Sequence, residues 1–134
     1  MTVSLSTVFV LADDPDAAVA FYSGVLGLEV TNRVENGGFT WVTLATVSQP
    51  GLSIVLTHPR AGRSAEDGEA IAALLAKGEL GAINLSTDDL DKVYEKIASA
   101  DGVEVLQEPM DQFWGVRDAA FRDPSGNTVR IAQA

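Results

Sequence analysis

The chain has 134 residues, a length that suits one domain or two small halves sharing a core, and 46% of them are apolar, as in folded globular proteins. It contains no cysteine, which excludes disulfides and thiolate chemistry and fits a reducing compartment. The net charge of −10 disfavours nucleic acid as a partner, because phosphate backbones would be repelled. No run approaches the roughly 20 apolar residues of a membrane span, and residues 1–5 lack the basic flank and apolar run that are expected of a secretion signal. We therefore expect a cytoplasmic protein that binds neither nucleic acid nor a membrane.

The first half of the sequence predicts a strand, a helix and three further strands. An apolar, β-branched run over residues 3–12 leads into Asp14 and Pro15, which suit the N-cap and first turn of a helix. Apolar residues then recur at helical spacing as far as Gly27, which ends the helix. The three following strands are predicted at residues 28–34, 39–45 and 52–57.

The second half repeats this order. A strand at residues 82–86 precedes a helix that begins after Thr87-Asp88-Asp89 and ends at Gly102. Between the halves lies an acidic, alanine-rich helix at about residues 65–76 that belongs to neither repeat. The strands of the second half are predicted at residues 103–107, 115–121 and 128–132.

This duplication predicts two βαβββ modules and an α+β fold. The first module covers residues 1–58, a variable helical connection covers 59–80, and the second module covers 81–134. We expect the two modules to form one domain overall.

Three segments of the chain carry a family resemblance. They are the first helix with Asp14 and Val25-Leu26-Gly27-Leu28, the segment 108–115, and the hairpin Phe121-Arg122-Asp123-Pro124-Ser125-Gly126-Asn127. Together they resemble the vicinal oxygen chelate superfamily, the group of glyoxalase I, bleomycin-resistance proteins and extradiol dioxygenases. The resemblance implies curled mixed sheets around a cavity. It does not imply one activity, since the fold hosts many chemistries.

The resemblance also implies where a metal would bind. Metal-dependent members take four ligands, typically His, Glu, His and Glu, from the first and last strands of each module. The matching motifs place Thr7, Val55, Ala82 and Arg130 at these four positions. Thr7 is a poor ligand and the other three cannot ligate a divalent cation, which needs imidazole or carboxylate lone pairs. We therefore predict no metal and no other cofactor.

Strand phase predicts which side chains line the cavity, because side chains alternate between the two faces of a strand. Asn84 and Ser86 are polar and alternate with Ile83 and Leu85, so their face is either a binding wall or solvated. With the cavity of the family as context, the binding wall is the preferred interpretation. The residues predicted to face inward are Thr7, Phe9, Ser53, Val55, Thr57, Ala82, Asn84, Ser86, Thr128 and Arg130.

Arg130 is the candidate that most constrains the function. A cation on an inward face needs a partner, which is either an internal carboxylate such as Glu108 or Asp118, or a ligand. Its planar fork suits the carboxylate, carbonyl or phenolate group of a ligand. The two roles can coexist.

Aromatic residues and one histidine complete the candidate binding site. Trp41, Phe113 and Trp114 can stack on a planar ligand, and Phe113-Trp114 follows a connection that suggests a gate over the cavity. Core packing or a dimer interface is the alternative for these rings. His58 is the only histidine and lies before Pro59, where it is either a surface residue or a binding residue.

Three functional classes follow. The favoured one is a metal-independent protein that binds a small organic molecule, such as an antibiotic, as resistance members of the superfamily do. The second is a metal-free isomerase or lyase that uses Arg130 as its electrophile, and the least favoured is a metal-dependent glyoxalase or dioxygenase. We further expect a homodimer. The predicted ligand-binding residues are Arg130, Asn84, Ser86, Trp41, Phe113, Trp114, Phe9, Thr7, Val55 and His58.

Overall fold

The computed structural model describes all residues from 1 to 134. Its internal contacts divide the chain into two compact units, residues 1–72 and residues 73–134. The division falls inside helix α2 (Ala65–Ala76). None of the helices combines the length and the apolar character needed to cross a membrane.

The first unit contains a four-stranded mixed sheet in the order β1-β4-β3-β2. Strand β1 runs parallel to β4, and the other neighbours are antiparallel. Helix α1 continues without a break as a π-helical segment. The elements are β1 (Thr7–Leu11), α1 (Pro15–Val19), the π-helical segment Ala20–Val25, β2 (Glu29–Asn36), β3 (Phe39–Ala45) and β4 (Ser53–Thr57).

One face of the first sheet forms a core with its helix. Helix α1 contacts β3 and β4, and alternate residues of those strands are apolar, so one side of each strand is removed from water. The rings of Phe21 and Tyr22, 4.8 Å apart and edge to face, add the largest buried side chains. The buried core residues of these elements are Ala18, Phe21, Tyr22, Val42, Leu44, Ile54 and Leu56.

The second unit repeats the same topology, with a mixed sheet in the order β5-β8-β7-β6. Strand β5 runs parallel to β8, and the remaining pairs are antiparallel. Helix α3 contacts β6, β7 and β8, and Tyr94 on the helix lies 5.7 Å from the ring of Phe121. The elements are β5 (Ala82–Thr87), α3 (Leu90–Ala98), β6 (Glu104–Asp111), β7 (Arg117–Arg122) and β8 (Thr128–Gln133).

The turn between β7 and β8 is built around Asp123. Its Oδ1 accepts hydrogen bonds from the backbone N–H groups of Ser125, Gly126 and Asn127, at 2.9–3.0 Å. Gly126 has φ of 118°, and a Cβ there would collide with the carbonyl oxygen of Leu75. Glycine is therefore required at this position on both conformational and steric grounds. This turn fixes the residue at which β8 begins, and therefore which face of the sheet carries the Arg130 side chain.

The predicted α+β fold with two βαβββ modules is confirmed, and the two largest errors in strand boundaries are four residues each. Strand β1 begins at Thr7 and not at residue 3, because its partner β4 begins only at Ser53. Strand β6 continues to Asp111 instead of ending at residue 107, with two register irregularities along its pairing with β7. The connection before β7 is consequently a tight turn at residues 112–116, closed by a hydrogen bond from Gln112 N to Val116 O.

Candidate functional site

In the first unit, four predicted site residues lie on the sheet face opposite the buried core. Phe9 is paired with Val55, and Val55 is paired with Thr43 on the neighbouring strand. Phe9 is 67% exposed, and Trp41 contacts Phe39 edge to face at 6.4 Å. The Thr7 hydroxyl lies 3.2 Å from the hydroxyl of Ser53. Of the predicted residues on this face, Phe9 offers the largest exposed apolar surface.

His58 is held within its own loop. Its Nδ1 accepts a hydrogen bond from the backbone N–H of Arg60 at 3.0 Å. Its ring lies 5.0 Å from that of Phe39, and the residue is half-buried. The imidazole therefore helps shape the segment that follows β4.

In the second unit, two rows of cross-strand neighbours carry the candidate site. The first row joins Asn84, Arg130, Ala120 and Gln107, from β5 across β8 and β7 to β6. The adjacent row joins Ser86, Ala132, Asp118 and Met110. Residues two apart on a strand share a face. The predicted face of Asn84, Ser86 and Arg130 is thus the face that also presents Asp118 and Gln107.

This face contains a cavity of about 200 Å³. It combines a charged pair, one amide side chain, an indole ring and small apolar side chains. Three of the predicted binding residues, Asn84, Trp114 and Arg130, meet there. Ser86 lies in the neighbouring row but does not line the cavity. The lining residues are Asn84, Leu85, Trp114, Val116, Asp118, Arg130 and Ala132.

Arg130 forms the internal ion pair that was one of its two predicted roles. Its Nη1 donates to Asp118 Oδ2 at 2.9 Å and, more weakly, to Gln107 Oε1 at 3.4 Å. The partner is Asp118 and not Glu108, because Asp118 lies on the adjacent strand β7 and on the same face. The Nε and Nη2 groups of Arg130 donate to no protein atom. Every buried side-chain nitrogen or oxygen in the chain has a hydrogen-bond partner, so these two unpartnered nitrogens are not buried and reach solvent. These donors are available to a ligand.

Asp118 is a buried carboxylate with three side-chain partners. Its Oδ1 accepts from Gln107 Nε2 at 3.1 Å and from Gln112 Nε2 at 2.8 Å, while Oδ2 accepts from Arg130. Burial alone would raise the pKa of Asp118, but the hydrogen bonds from Gln112, Gln107 and Arg130, with the Arg130 charge, lower it below its ordinary value. Asp118 is therefore held as a carboxylate at neutral pH.

Gln107 and Gln112 complete this network, and neither was among the predicted site residues. Gln112 Nε2 also donates to Gln107 Oε1 at 3.1 Å, so the two amides are linked to each other as well as to Asp118. Gln112 lies in the turn between β6 and β7, and Gln107 lies beside the irregularity in β6. Only the alternation of side chains along β6 could have indicated Gln107. Nothing in the sequence pattern indicates that the turn returns Gln112 to the same carboxylate.

Trp114 and Phe113 form the tip of the β6–β7 hairpin. Trp114 lines the cavity, and its ring meets that of Phe113 edge to face at 4.8 Å. Phe113 is 97% exposed and does not line the cavity, so it is not a core residue within this chain. The exposed rings place a large apolar surface at one rim of the cavity.

The residues at the four family metal positions do not fit a metal ion. The Thr7 hydroxyl is hydrogen-bonded to that of Ser53. The side chains of Val55 and Ala82 have no atom that can ligate a metal, and Arg130 carries a positive charge that is paired with Asp118. No group of three or more histidine, aspartate or glutamate side chains is arranged to hold a metal elsewhere in the chain.

Comparison with known proteins decides the family. Residues 4–131 match the model of the Glyoxalase/Bleomycin resistance protein/Dioxygenase superfamily. The chain belongs to this superfamily. The predicted resemblance is thereby confirmed.

Three similar proteins match this chain over almost its whole length. The chain is 31% identical to UcmS2, whose crystal structure superposes with a TM-score of 0.86 over 100% of both chains. TnmS3, an antibiotic binding protein from Streptomyces sp. CB03234, is 24% identical with a TM-score of 0.73 over 98% of this chain and 97% of its own. The uncharacterised protein YurT of Bacillus subtilis (strain 168) is 28% identical over 133 residues, 99% of each chain. At its level of identity, TnmS3 shows a shared fold only.

Proposed function

We propose that the protein binds a small organic molecule in the cavity of its second unit without the help of a metal ion. The observation that carries this proposal is the joint presence of Trp114, Asn84 and the unpartnered Arg130 donors around one cavity. An indole face and a few convergent polar groups on an apolar wall are what ligand sites in proteins commonly offer.

The size of the cavity limits what it can hold. Sites for drug-sized ligands usually span about 300–1,000 Å³, and this cavity has about 200 Å³. It therefore suits a ring system or one end of a larger molecule. The rest of a larger molecule would extend beyond the cavity, past the exposed hairpin tip with Phe113.

We further propose that this ligand is an antibiotic and that binding serves sequestration. Support comes from the superfamily, whose name includes bleomycin resistance proteins, and from TnmS3, which shares the fold and is an antibiotic binding protein. A cavity that holds one end of a molecule by stacking and hydrogen bonding suits capture better than a reaction that needs a positioned base.

The geometry favours a binder over a metal-free enzyme of the same fold. Asp118 is the carboxylate closest to Arg130, and it would be the natural proton acceptor in such an enzyme. Both of its oxygens already accept hydrogen bonds, and its lowered pKa makes it a weak base. Arg130 and Asp118 therefore hold each other and the cavity wall.

Binding of 2-naphthamide, a planar probe with one carbonyl group, tests this proposal. Replacement of Arg130 by alanine should weaken binding by about tenfold or more, because hydrogen bonds from a charged group contribute on the order of 1.5–3 kcal/mol. Isothermal titration calorimetry measures the change. Trp114→Ala should weaken binding as well, without disturbing the ion pair.

Arg117, on strand β7 of the same sheet, is a matched control residue for Arg130. Its side chain is 38% exposed against 37% for Arg130, and each forms one ion pair of 2.9 Å. Arg117 precedes Asp118 on β7, so it lies on the opposite face of the sheet. Arg117→Ala should leave binding unchanged, and equal affinities of the Arg117→Ala and Arg130→Ala proteins would contradict the proposed site.

A further inference from the structure

Asp118 and Arg130 are the only charged residues among those that line the cavity, and they are paired with each other. We infer that the cavity selects uncharged planar ligands with a hydrogen-bond acceptor over anionic and cationic ligands of the same shape, with Asp118 as the residue that sets this preference. The inference rests on the proposed binding function and adds the chemical class of the ligand to it.

An anion is disfavoured because the charge of Arg130 is already compensated. Asp118 lies 2.9 Å from the guanidinium, so a carboxylate that approached the free Nη2 and Nε groups would also meet the field of the Asp118 carboxylate. The net charge of −10 acts in the same direction at longer range. The weakened attraction must still offset the cost of removing an ionised group from water.

A cation is disfavoured because the Asp118 carboxylate is 6% exposed and both of its oxygens already accept hydrogen bonds. Asp118 Oδ1 accepts from two glutamine amides, and Oδ2 accepts from Arg130. An ammonium group would also lie beside the guanidinium charge. The acidic character of the chain as a whole therefore does not extend to a cationic site within this cavity.

An uncharged ligand with a hydrogen-bond acceptor fits the polar groups of the cavity that are still free to bind. The Nε and Nη2 groups of Arg130 can donate to a carbonyl oxygen, and the Asn84 amide can both donate and accept. Val116 and Ala132 provide apolar contacts, and the indole of Trp114 provides a face for a planar ring. A neutral ligand uses all of these groups and loses little hydration energy on entry.

Three naphthalene probes of one shape test the inference at neutral pH: 2-naphthamide, 2-naphthoate and 2-naphthylmethylammonium. Titrations followed by protein NMR give the affinity of each and show whether the Trp114 indole and Arg130 Nε–H resonances shift. We expect the unaltered protein to bind the amide about tenfold more tightly than either ion. In Asp118→Asn the naphthoate should gain about tenfold relative to the amide, because the Arg130 charge is no longer compensated.

Asp91→Asn is the control for net charge. Asp91 is the partner of Arg117 on the opposite face, so this change alters the total charge equally without touching the cavity. Arg130→Gln is the reciprocal variant, and it should move the preference toward the ammonium probe. It also tests the role of the pair if Asp118→Asn does not fold.

The possible outcomes separate this inference from the proposed function. If naphthoate or the ammonium probe binds the unaltered protein as tightly as the amide, the inference is overturned while binding in the cavity stands. If Asp118→Asn changes the ranking no more than Asp91→Asn does, the role of Asp118 is overturned. If none of the three probes binds, the inference and the proposed function are overturned together.

Discussion

At the level of single residues, Asp118 holds the polar side chains beside the cavity in place. Its carboxylate is buried, and three side chains from a strand, a turn and a second strand point their donors at its two oxygens. A buried charge persists only when it is paired and hydrogen-bonded. The same contacts fix the orientation of Arg130, because its Nη1 is held on Oδ2 and leaves Nη2 and Nε directed elsewhere.

The lowered pKa of Asp118 predicts how stability depends on pH. The carboxyl has an ordinary value of about 3.9 in an unfolded chain and a lower value in the folded protein. Its contribution to the free energy of unfolding is therefore complete above about pH 4 and is lost as pH falls through the folded value. NMR titration of the Asp118 carboxyl resonance should give a midpoint below about 3.9.

Unfolding by urea at several acidic pH values provides the second measurement. The difference in unfolding free energy between the unaltered protein and Asp118→Asn should be constant near neutrality and shrink as the carboxyl becomes protonated. A carboxyl midpoint above the ordinary aspartate value would show that burial outweighs the hydrogen bonds, contrary to the expectation.

At the level of elements, each βαβ connection begins its helix with an aspartate cap. Asp14 Oδ1 accepts from the backbone N–H groups of Asp16 and Ala17, and Asp89 Oδ1 accepts from that of Lys92. These bonds satisfy N–H groups that have no partner within the helix. Gln133 adds to the second cap, since its Oε1 accepts from the backbone N–H of Leu90 at 2.9 Å.

Replacement of Asp89 by alanine should therefore destabilise the protein by about 1 kcal/mol, the typical cost of losing an N-cap. Asp88 is the matched control, since it is exposed, adjacent, and makes no side-chain hydrogen bond. Asp88→Ala should change the free energy of unfolding by less than about 0.5 kcal/mol. Chemical denaturation measures both changes, and equal effects would show that charge alone, and not the cap, explains the loss.

At the level of the whole molecule, the chain has the superfamily fold, and the residues at the four positions predicted for metal ligands are not ones that hold a metal ion. Of the residues at these positions, Thr7 and Val55 belong to the first unit and Ala82 and Arg130 to the second. Both halves of the duplicated pattern thus lack the imidazole and carboxylate ligands that such sites need. A homodimer and a cytoplasmic location stay predictions.

Metal analysis of protein purified without chelators tests metal independence. We expect no stoichiometric divalent ion by mass spectrometry, because the donor set at the four positions cannot compensate the loss of hydration of the ion. A metal-dependent member of the superfamily, purified in parallel, shows that the procedure preserves bound metal. About one tightly held zinc or nickel ion per chain would contradict the prediction.

Much of the architecture could be predicted because its signals are local. The cap at Asp14, the helix end at Gly27 and the turn at residues 121–127 each depend on contacts within a few residues. The duplicated order of strands and helix requires only hydrophobic periodicity, which is also local. Strand alternation then sufficed to put Asn84 and Arg130 on one face of the second sheet.

The sequence by itself determined the superfamily fold, the absence of metal ligands at the family positions and the inward phase of Arg130. Only the tertiary structure decided that Arg130 pairs with Asp118, that Gln107 and Gln112 share this carboxylate, and that Trp114 borders the cavity. The physical reason is register. Phase along one strand follows from neighbouring residues, whereas the partners across a sheet depend on the pairing of distant strands and on the irregularities in β6.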